Sequence, residues 1–317
     1  MYTILIVGAG QLGSRHLQGA KTSHNELDIW VYDLSEESLT IAKERYNQVI
    51  SQTAKLVHYV QSLDFVPKEI DVTIVATSSK PRYDIVKQIL THHEVKYMVL
   101  EKFLFPRLSD YDEIQKLIEE KNVKTYVNCP RRMYESYHIA KDYIDSSQPI
   151  RMFFKGKDWG LCCNSIHFID IFMYLSKSLD YDLNTDNIIP EVVDSKRNGY
   201  VELRGTEIIT SENGSTLELL STTDYEGDGS VVILSGNNKI SIQESKGIIF
   251  VNDKSMRFNV LFQSSLSGVF VDNLLDNDIC SLTPYYESAK YHKKYLEKIL
   301  PLINKLRGWT SDSCPIT

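Results

Sequence analysis

No two of the five cysteines (Cys129, Cys162, Cys163, Cys280 and Cys314) stand in a C-x-x-C spacing, and their number is odd. Neither a disulfide framework nor a zinc site is signalled, no other metal site is expected, and a reducing compartment fits. No window approaches the roughly 18 consecutive apolar residues of a membrane span. The opening run Met1–Val7 lacks the basic region and small-residue cleavage site of a secretory signal, so the expectation is a cytoplasmic protein without membrane partners. Excess positive charge is also absent: 35 Lys and Arg face 42 Asp and Glu, a net charge of −7. That argues against a bulk electrostatic hold on nucleic acid or anionic lipid. There is no internal repeat and no low-complexity segment. What remains is a 317-residue chain, 42% hydrophobic and 24% charged, the balance of an ordinary globular protein. At about 150 residues per domain, two domains are expected.

Residues 1–128 alternate short apolar runs with helical patterns. Candidate strands are Ile4–Val7, Leu27–Tyr32, Leu56–Val60, Val72–Ala76, Tyr97–Leu100 and Thr125–Asn128. Ser35 with Glu36 and Glu37 marks one helix start, Pro81 another, and the capping-box-like Ser109-Asp-Tyr-Asp a third. This alternation predicts a doubly wound parallel sheet. Beyond residue 128 the rhythm changes. Arg131 to about Ser146 reads as a helix, Arg151–Phe154 as a strand and Asn164–Ser176 as a strongly apolar helix. Between about Ile188 and Phe262, short β-type runs split by Asn-Gly, Gly-Asp-Gly and Gly-Asn-Asn turns predict antiparallel hairpins. Pro284–Lys305 reads as a last helix interrupted near Pro301. The predicted domains are 1–128 and 129–317, with the last helix free to pack on either.

Residues 8–13 read Gly-Ala-Gly-Gln-Leu-Gly, between an apolar strand and a helical stretch. Gly8 permits the tight turn, Gly10 lets backbone approach a pyrophosphate, and Gly13 lets helix lie close to strand; Gln11 and Leu12 complete the turn. The first helical turn offers free N–H groups and a positive dipole end. Asp33, twenty residues after Gly13, suits ribose hydroxyls and repels a 2′-phosphate. No Arg or Lys follows it closely, so NAD is favoured over NADP; a plain capping role for Asp33 is the alternative. Thr77 and Ser78, after the fourth strand, face the first turn across the switch point of a 3-2-1-4-5-6 order, or form an ordinary strand-to-helix turn.

Four segments then converge: G-x-G-x-x-G-x-x-H over Gly8–His16, Glu101-Lys102 ending the fifth strand, Asn128 with Arg131-Arg132, and His167-x-x-Asp170 on the apolar helix. Their order and spacing resemble the glucose-fructose oxidoreductase / inositol dehydrogenase / rhizopine-catabolism (Gfo/Idh/MocA) family. The resemblance implies a Rossmann domain followed by an α+β domain with an open, mainly antiparallel sheet. It implies hydride exchange between a nicotinamide cofactor and a hydroxyl carbon of a sugar or sugar derivative. By position, Lys102 would touch the reacting hydroxyl, His167 would move its proton, and Glu101 would border the cofactor. Dimers or tetramers built through the open sheet face are implied too, with Val231–Leu234 and Ile248–Val251 as candidate surface. Three departures stand out. Phe103 replaces the proline expected after Glu-Lys. Tyr83 stands near where a histidine is expected after the fourth strand. Cys163 occupies the place of an aspartate four residues before His167.

The residues themselves support this chemistry. A neutral imidazole takes a hydroxyl proton near neutral pH, and an ammonium stabilises developing alkoxide. Lys102 alternatively pairs with Glu101 on the surface, and His167 alternatively serves as a core histidine. Arg132 suits a carboxylate or phosphate of an activated sugar, or an interdomain ion pair. Tyr137 suits a sugar ring or the core, and Asn164 can hydrogen-bond a substrate. Asp170 reads as orienting a neighbour. The vicinal Cys162-Cys163 reads as packing before redox chemistry. Three functions compete: a dehydrogenase or reductase acting on a sugar or nucleotide-activated sugar, with surface-polysaccharide synthesis as its expected setting; an enzyme that keeps its NAD through an epimerisation or glycoside cleavage; and a non-catalytic NAD sensor or scaffold.

Overall fold

The computed structural model describes residues 1–317, and the chain divides into two units. One holds Met1–Phe105, Ser109–Asn128 and Leu261–Tyr286; the other holds Pro106–Leu108, Cys129–Val260 and Glu287–Thr317. In chain order the first stretch carries β1 (Tyr2–Val7), α1 (Gly13–Lys21), β2 (Leu27–Tyr32), α2 (Glu36–Asn47), β3 (Lys55–Val60), β4 (Glu69–Val75), α3 (Ser79–His92), β5 (Glu94–Leu100), α4 (Leu108–Glu120) and β6 (Lys124–Val127). Next come α5 (Glu135–Asp142), β7 (Arg151–Lys157), α6 (Leu161–Ser176), β8 (Tyr181–Ile188), β9 (Val193–Asp194), β10 (Val201–Glu202), β11 (Gly205–Ser211), β12 (Thr216–Thr222), β13 (Val231–Ser235), β14 (Asn238–Gln243), β15 (Ile248–Val251) and β16 (Lys254–Arg257). The chain ends with α7 (Gln263–Asn277), β17 (Thr283–Pro284) and α8 (Tyr285–Arg307).

The first unit is a Rossmann sheet. Its order is β3-β2-β1-β4-β5-β6, all parallel, with β17 antiparallel on the β6 edge. Ile4–Val7 and Tyr97–Leu100 are completely buried, as strands covered on both faces must be. Ser35 caps α2, its Oγ accepting the Ser38 N–H at 3.2 Å, with Glu36 and Glu37 in the first turn. Pro81 lies in the first turn of α3, where no backbone donor is needed. Ser109 does not open α4; it is the second residue of a helix that starts at Leu108.

The domain expectation is corrected at two segments, the short Pro106–Leu108, which joins the second unit, and a longer one. Residues 261–286 return to the first unit instead of staying with 129–317. They form α7, a helix the sequence pattern hides behind Gly268 and β-branched residues. The glycine has a packing reason: a Cβ on Gly268 would stand 2.6 Å from the Gly19 carbonyl oxygen, and one on Gly19 would stand 2.6 Å from Ser267 Cβ. Two bare backbones let α1 and α7 cross closely.

The second unit has an eight-stranded sheet, order β16-β15-β14-β13-β7-β12-β11-β8, antiparallel except at the β7–β12 pair. Phe154 of β7 stacks on Phe168 of α6 at 4.3 Å between centroids, and Glu207 of β11 meets Tyr295 of α8. Both helices therefore cover the face carrying Met152, Phe154, Glu207, Leu217 and Leu219. On the opposite face Phe153, Leu220, Val232, Leu234, Ile248 and Phe250 are half-buried. Two helix expectations change here. Arg131–Ser146 is a short 3-10 turn at Pro130–Met133, an extended Tyr134, and then α5. The last helix runs through Pro301 without a break. Buried Tyr295, Leu296, Ile299 and Ile303 line one side of it, and their packing offsets the missing N–H.

Glu207 is fully buried between Ser165 of α6 (Oγ, 2.6 Å) and Tyr295 of α8 (Oη, 2.7 Å), with Glu202 the nearby charge. Burial pushes its carboxyl up to about 7 against the two hydroxyl hydrogen bonds, and Glu202 adds to the rise. An acid more readily protonated in the fold than in the unfolded chain stabilises below its ordinary titration range. That contribution falls from about pH 4.5 and is gone by about pH 7. Glu207→Gln should abolish the slope and, at pH 8, raise stability by up to about 3 kcal/mol. Thermal melts of both proteins between pH 5 and pH 8 check this; parallel curves would refute it.

Candidate active site

The glycine turn closes as its spacing requires. Gly8 adopts φ +91°, a conformation that costs glycine nothing. A Cβ on Gly13 would stand 1.7 Å from the Gly8 carbonyl oxygen, so Gly13 is demanded by the turn itself. Gly10 differs: a Cβ there would meet no protein atom within 4 Å. The turn does not need that glycine, but a group lying across it would. The N-cap of α1 is Leu12, with no side-chain cap; the Ser14 and Arg15 N–H groups turn back to the Gly10 and Leu12 carbonyls at 3.0 and 2.9 Å, and the positive end of the helix dipole lies at the turn. Thr77, after β4, has a buried Oγ1 with no protein partner. An open cradle, an uncapped helix start and an orphan hydroxyl suit the pyrophosphate of a dinucleotide.

Asp33 ends β2 and clamps this turn. Its Oδ2 accepts the Ala9 N–H at 2.7 Å and its Oδ1 the Ser35 N–H at 2.8 Å. Capping of α2 falls to Ser35, not to Asp33. A carboxylate offers about four acceptor positions, so capacity for ribose hydroxyls remains. Arg45 of α2, which the sequence reading did not single out, reaches Gln11 Oε1 (2.7 Å) and Ser14 Oγ (2.6 Å). Gln11 is thereby held from outside the turn. Leu12 is half-buried.

Lys102 is half-buried within a run that is otherwise buried from Glu101 to Pro106, and a cis peptide joins it to Phe103. Arg82 of α3, completely buried, donates to the Thr77 carbonyl and to the Phe103 and Leu104 carbonyls, the last at 3.0 Å. One guanidinium thus ties the loop of Thr77 and Ser78 to the loop of Lys102. Glu101 points away from the surface pairing that the sequence allowed. Its Oε1 accepts from His16 Nε2 (2.8 Å) and from Asn128 Nδ2. Burial opposes its charge, yet the His16 hydrogen bond and charge, then Asn128 and the Arg82 charge, hold the carboxyl below its usual range. His16 Nδ1 meets Ser267 of α7 at 2.8 Å. His16 is therefore a member of this buried network, joined by Asn128 and Gln263.

In the second unit α6 is buried at every position except Asn164, His167 and Tyr174. Offsets of three and seven residues put these three on one helical face. His167 is thus half-buried on an open face. Asn164 Nδ2 donates to the Trp159 carbonyl at 2.8 Å. Arg132 is paired with Asp170 (2.9 and 3.0 Å) and Glu287 (2.6 Å), which is the ion-pair reading of that residue. Tyr137 is buried, its hydroxyl donating to Glu244 at 2.6 Å beside the bidentate Arg131–Glu244 pair. Burial and Glu244 keep that phenol protonated. The Cys162 thiol is pushed far up by burial and by Glu202 and Glu207, so it packs and is not a thiolate. Glu202, which the sequence reading also passed over, accepts the Cys162 N–H at 2.8 Å and satisfies the start of α6.

Residues 2–129 match the family model described as the oxidoreductase family with an NAD-binding Rossmann fold. That stretch matches the NAD-binding domain of the Gfo/Idh/MocA oxidoreductases. With it come NAD as cofactor and the oxidoreductase class. No curated protein sequence matches the chain. Among solved structures, UDP-N-acetylglucosamine 3-dehydrogenase GnnA from Acidithiobacillus ferrooxidans is similar at a TM-score of 0.73 and 14% identity, over 96% of this chain and 99% of that one. An oxidoreductase from Agrobacterium radiobacter in complex with NAD+, L-tartaric acid and magnesium gives 0.72 and 14%, over 96% and 97%. A putative myo-inositol dehydrogenase from Sinorhizobium meliloti gives 0.68 and 11%, over 96% and 98%. Identities this low carry the fold alone. No helix of this chain is long and apolar enough to cross a membrane.

The two glycines separate fold from ligand. Gly10→Ala should leave the melting temperature unchanged and weaken NAD binding by about tenfold or more. Gly13→Ala should lower the melting temperature, because its Cβ overlaps the Gly8 carbonyl. Calorimetry with NAD titration reads both; equal binding by Gly10→Ala and the wild type would remove the cradle assignment.

Proposed function

We propose that this chain transfers a hydride between NAD and a hydroxyl or keto carbon of a sugar or nucleotide-activated sugar. The observation that carries the reading is a pair of partly open polar residues in otherwise buried surroundings: Lys102 after β5, and His167 with Asn164 on the open face of α6. The GnnA likeness supports a nucleotide-sugar substrate, and with it a cytoplasmic step in building surface polysaccharide.

NAD, when bound, supplies the two-electron acceptor. The Lys102 ammonium donates a hydrogen bond to the substrate oxygen and stabilises its negative charge as the O–H bond breaks. A ring nitrogen of His167 receives the proton and returns it in the reverse direction. Asn164 hydrogen-bonds substrate hydroxyls. Thr77, Ser78 and the glycine turn hold the dinucleotide, Asp33 its ribose. Arg132 and Tyr137, engaged with Asp170, Glu287 and Glu244, act from behind by stiffening the wall that carries His167.

We also infer that copies of the chain associate through the outer sheet face. Its alternation supports this: Val231, Ile233, Ile249 and Val251 point to the core, while Val232, Leu234, Ile248 and Phe250 form a half-buried outward patch.

NADH formation with UDP-N-acetylglucosamine and related nucleotide sugars tests the reaction. Lys102→Ala and His167→Ala should each lose about a hundredfold or more of the rate and still bind NADH. Unchanged rates in both would reject the assigned roles. Leu234→Glu should shift the protein to monomer in size-exclusion light scattering; an unaltered oligomer would reject the outer face as the contact.

A further inference from the structure

The buried network behind Lys102 has a direction. Glu101 is ionised and can only accept, so His16 Nε2 and Asn128 Nδ2 must both donate to it. His16 Nδ1 lies 2.8 Å from the Ser267 hydroxyl, which itself donates to the Gln263 backbone carbonyl at 3.2 Å. Gln263 Nε2 donates to Ser267 Oγ at 3.1 Å, which turns Gln263 Oε1 toward Asn128, and Asn128 Nδ2 donates to it at 2.9 Å. The ionised Glu101 thus fixes the orientation of the Asn128 amide, and the Asn128 contact that of Gln263. Turning the Asn128 amide over would set its oxygen against two other acceptors, Glu101 Oε1 and Gln263 Oε1.

The network therefore ends on a single unmet acceptor. Asn128 is 2% exposed, and its Oδ1 has no hydrogen-bond partner. A buried carbonyl left without a donor costs about 1–3 kcal/mol, and such an atom in a functional region calls for a ligand. Asn128 directly follows β6, beside Glu101 and Lys102 after β5, and its N–H is fixed to the Leu100 carbonyl at 2.8 Å. This is the carboxyl edge of the sheet, where a dinucleotide lies. Asp33 marks the ribose of the adenosine half after β2, on the other side of the switch point. The half remaining for β5 and β6 is the nicotinamide, whose carboxamide carries N–H donors.

We infer that Asn128 Oδ1 accepts a hydrogen bond from the carboxamide of nicotinamide, and that the His16–Glu101–Asn128–Gln263 network exists to aim it. The inference rests on the NAD assignment and adds to it a residue that sets ring orientation. Asn128 is a cofactor-positioning residue, not a proton donor.

Calorimetric titration of the full chain tests it with two NAD analogues. In the acetylpyridine analogue a methyl group replaces the carboxamide nitrogen; in the thionicotinamide analogue that nitrogen is kept. The wild type should bind NAD about tenfold more tightly than the acetylpyridine analogue, the value of one hydrogen bond to a buried acceptor. The thionicotinamide analogue should bind like NAD. In Asn128→Ala the preference for NAD over the acetylpyridine analogue should fall to about twofold or less. A wild-type preference near one, or a preference undiminished in Asn128→Ala, overturns the inference. If Asn128→Ala does not fold, the wild-type series decides alone, because only an acceptor facing the carboxamide separates the two analogues in this way. Failure of the wild type to bind NAD at all would overturn the cofactor assignment and this inference with it.

Discussion

A carboxylate sealed inside a protein costs several kcal/mol unless every lone pair is answered, and the first unit is organised around answering one. Glu101 lies at the end of β5 with donors arriving from α1 (His16) and from the end of β6 (Asn128). α7 closes the circle through Ser267 and Gln263. The close crossing of α1 and α7 at Gly19 and Gly268 brings Ser267 within reach. A helix belonging to the last third of the chain is thereby made part of the N-terminal unit. The next residue after Glu101 is Lys102. Its backbone is anchored on one side by this network and on the other by Arg82, whose guanidinium takes the Phe103 and Leu104 carbonyls. A lysine with a long flexible stem gains aim when both of its chain neighbours are immobile.

The second unit places its polar residues by a different route. α6 is apolar around nearly its whole circumference, so it is buried, and each polar position on it must be answered or open. Ser165 is answered by Glu207, Asp170 by Arg132, and the first-turn N–H of Cys162 by Glu202. Asn164 and His167 lie on the open face. The carboxylate absent at Cys163 is not replaced from the helix. Glu202 and Glu207 approach α6 from the strands instead, and a Cβ on Gly160 would stand 3.1 Å from Glu202 Oε1 and 3.0 Å from Asn164 Nδ2. Gly160, with φ +80°, is required both for its backbone and for that close fit.

Much of this was legible. The alternation of apolar runs and helical stretches through residue 128 specifies a parallel sheet because period and burial agree there. The G-x-G-x-x-G turn is legible because two of its glycines, Gly8 and Gly13, are forced by the turn itself, while Gly10 borders open space. What hid from the sequence was long-range. Nothing local marks Gln263–Asn277 as a helix of the first unit, since its glycine is explained only by Gly19, some 250 residues earlier. Arg82 looks like a surface residue on an amphipathic helix until two loops are found to need its donors. The place of His16 is likewise set at long range, by Glu101 after β5 and Ser267 of α7. Pro301 predicts a break, yet tertiary packing on both sides of it carries α8 through.

The cofactor preference follows from the same local logic. Two features bear on a 2′-phosphate: a negative group where it would sit, and a positive group to meet it. Asp33 supplies the first and is not free to swing aside, since the Ala9 and Ser35 N–H groups hold both its oxygens. Arg45 reaches the turn from α2, but its guanidinium is engaged with Gln11 and Ser14. Drawing it away would unfasten the outer side of the glycine turn. An NADP-binding variant would therefore need two coordinated changes, a neutral residue at 33 that still accepts the Ala9 N–H and a second cation to replace Arg45 at the turn. A carboxylate fixed in this way would disfavour a 2′-phosphate more strongly than the absence of a nearby basic residue would.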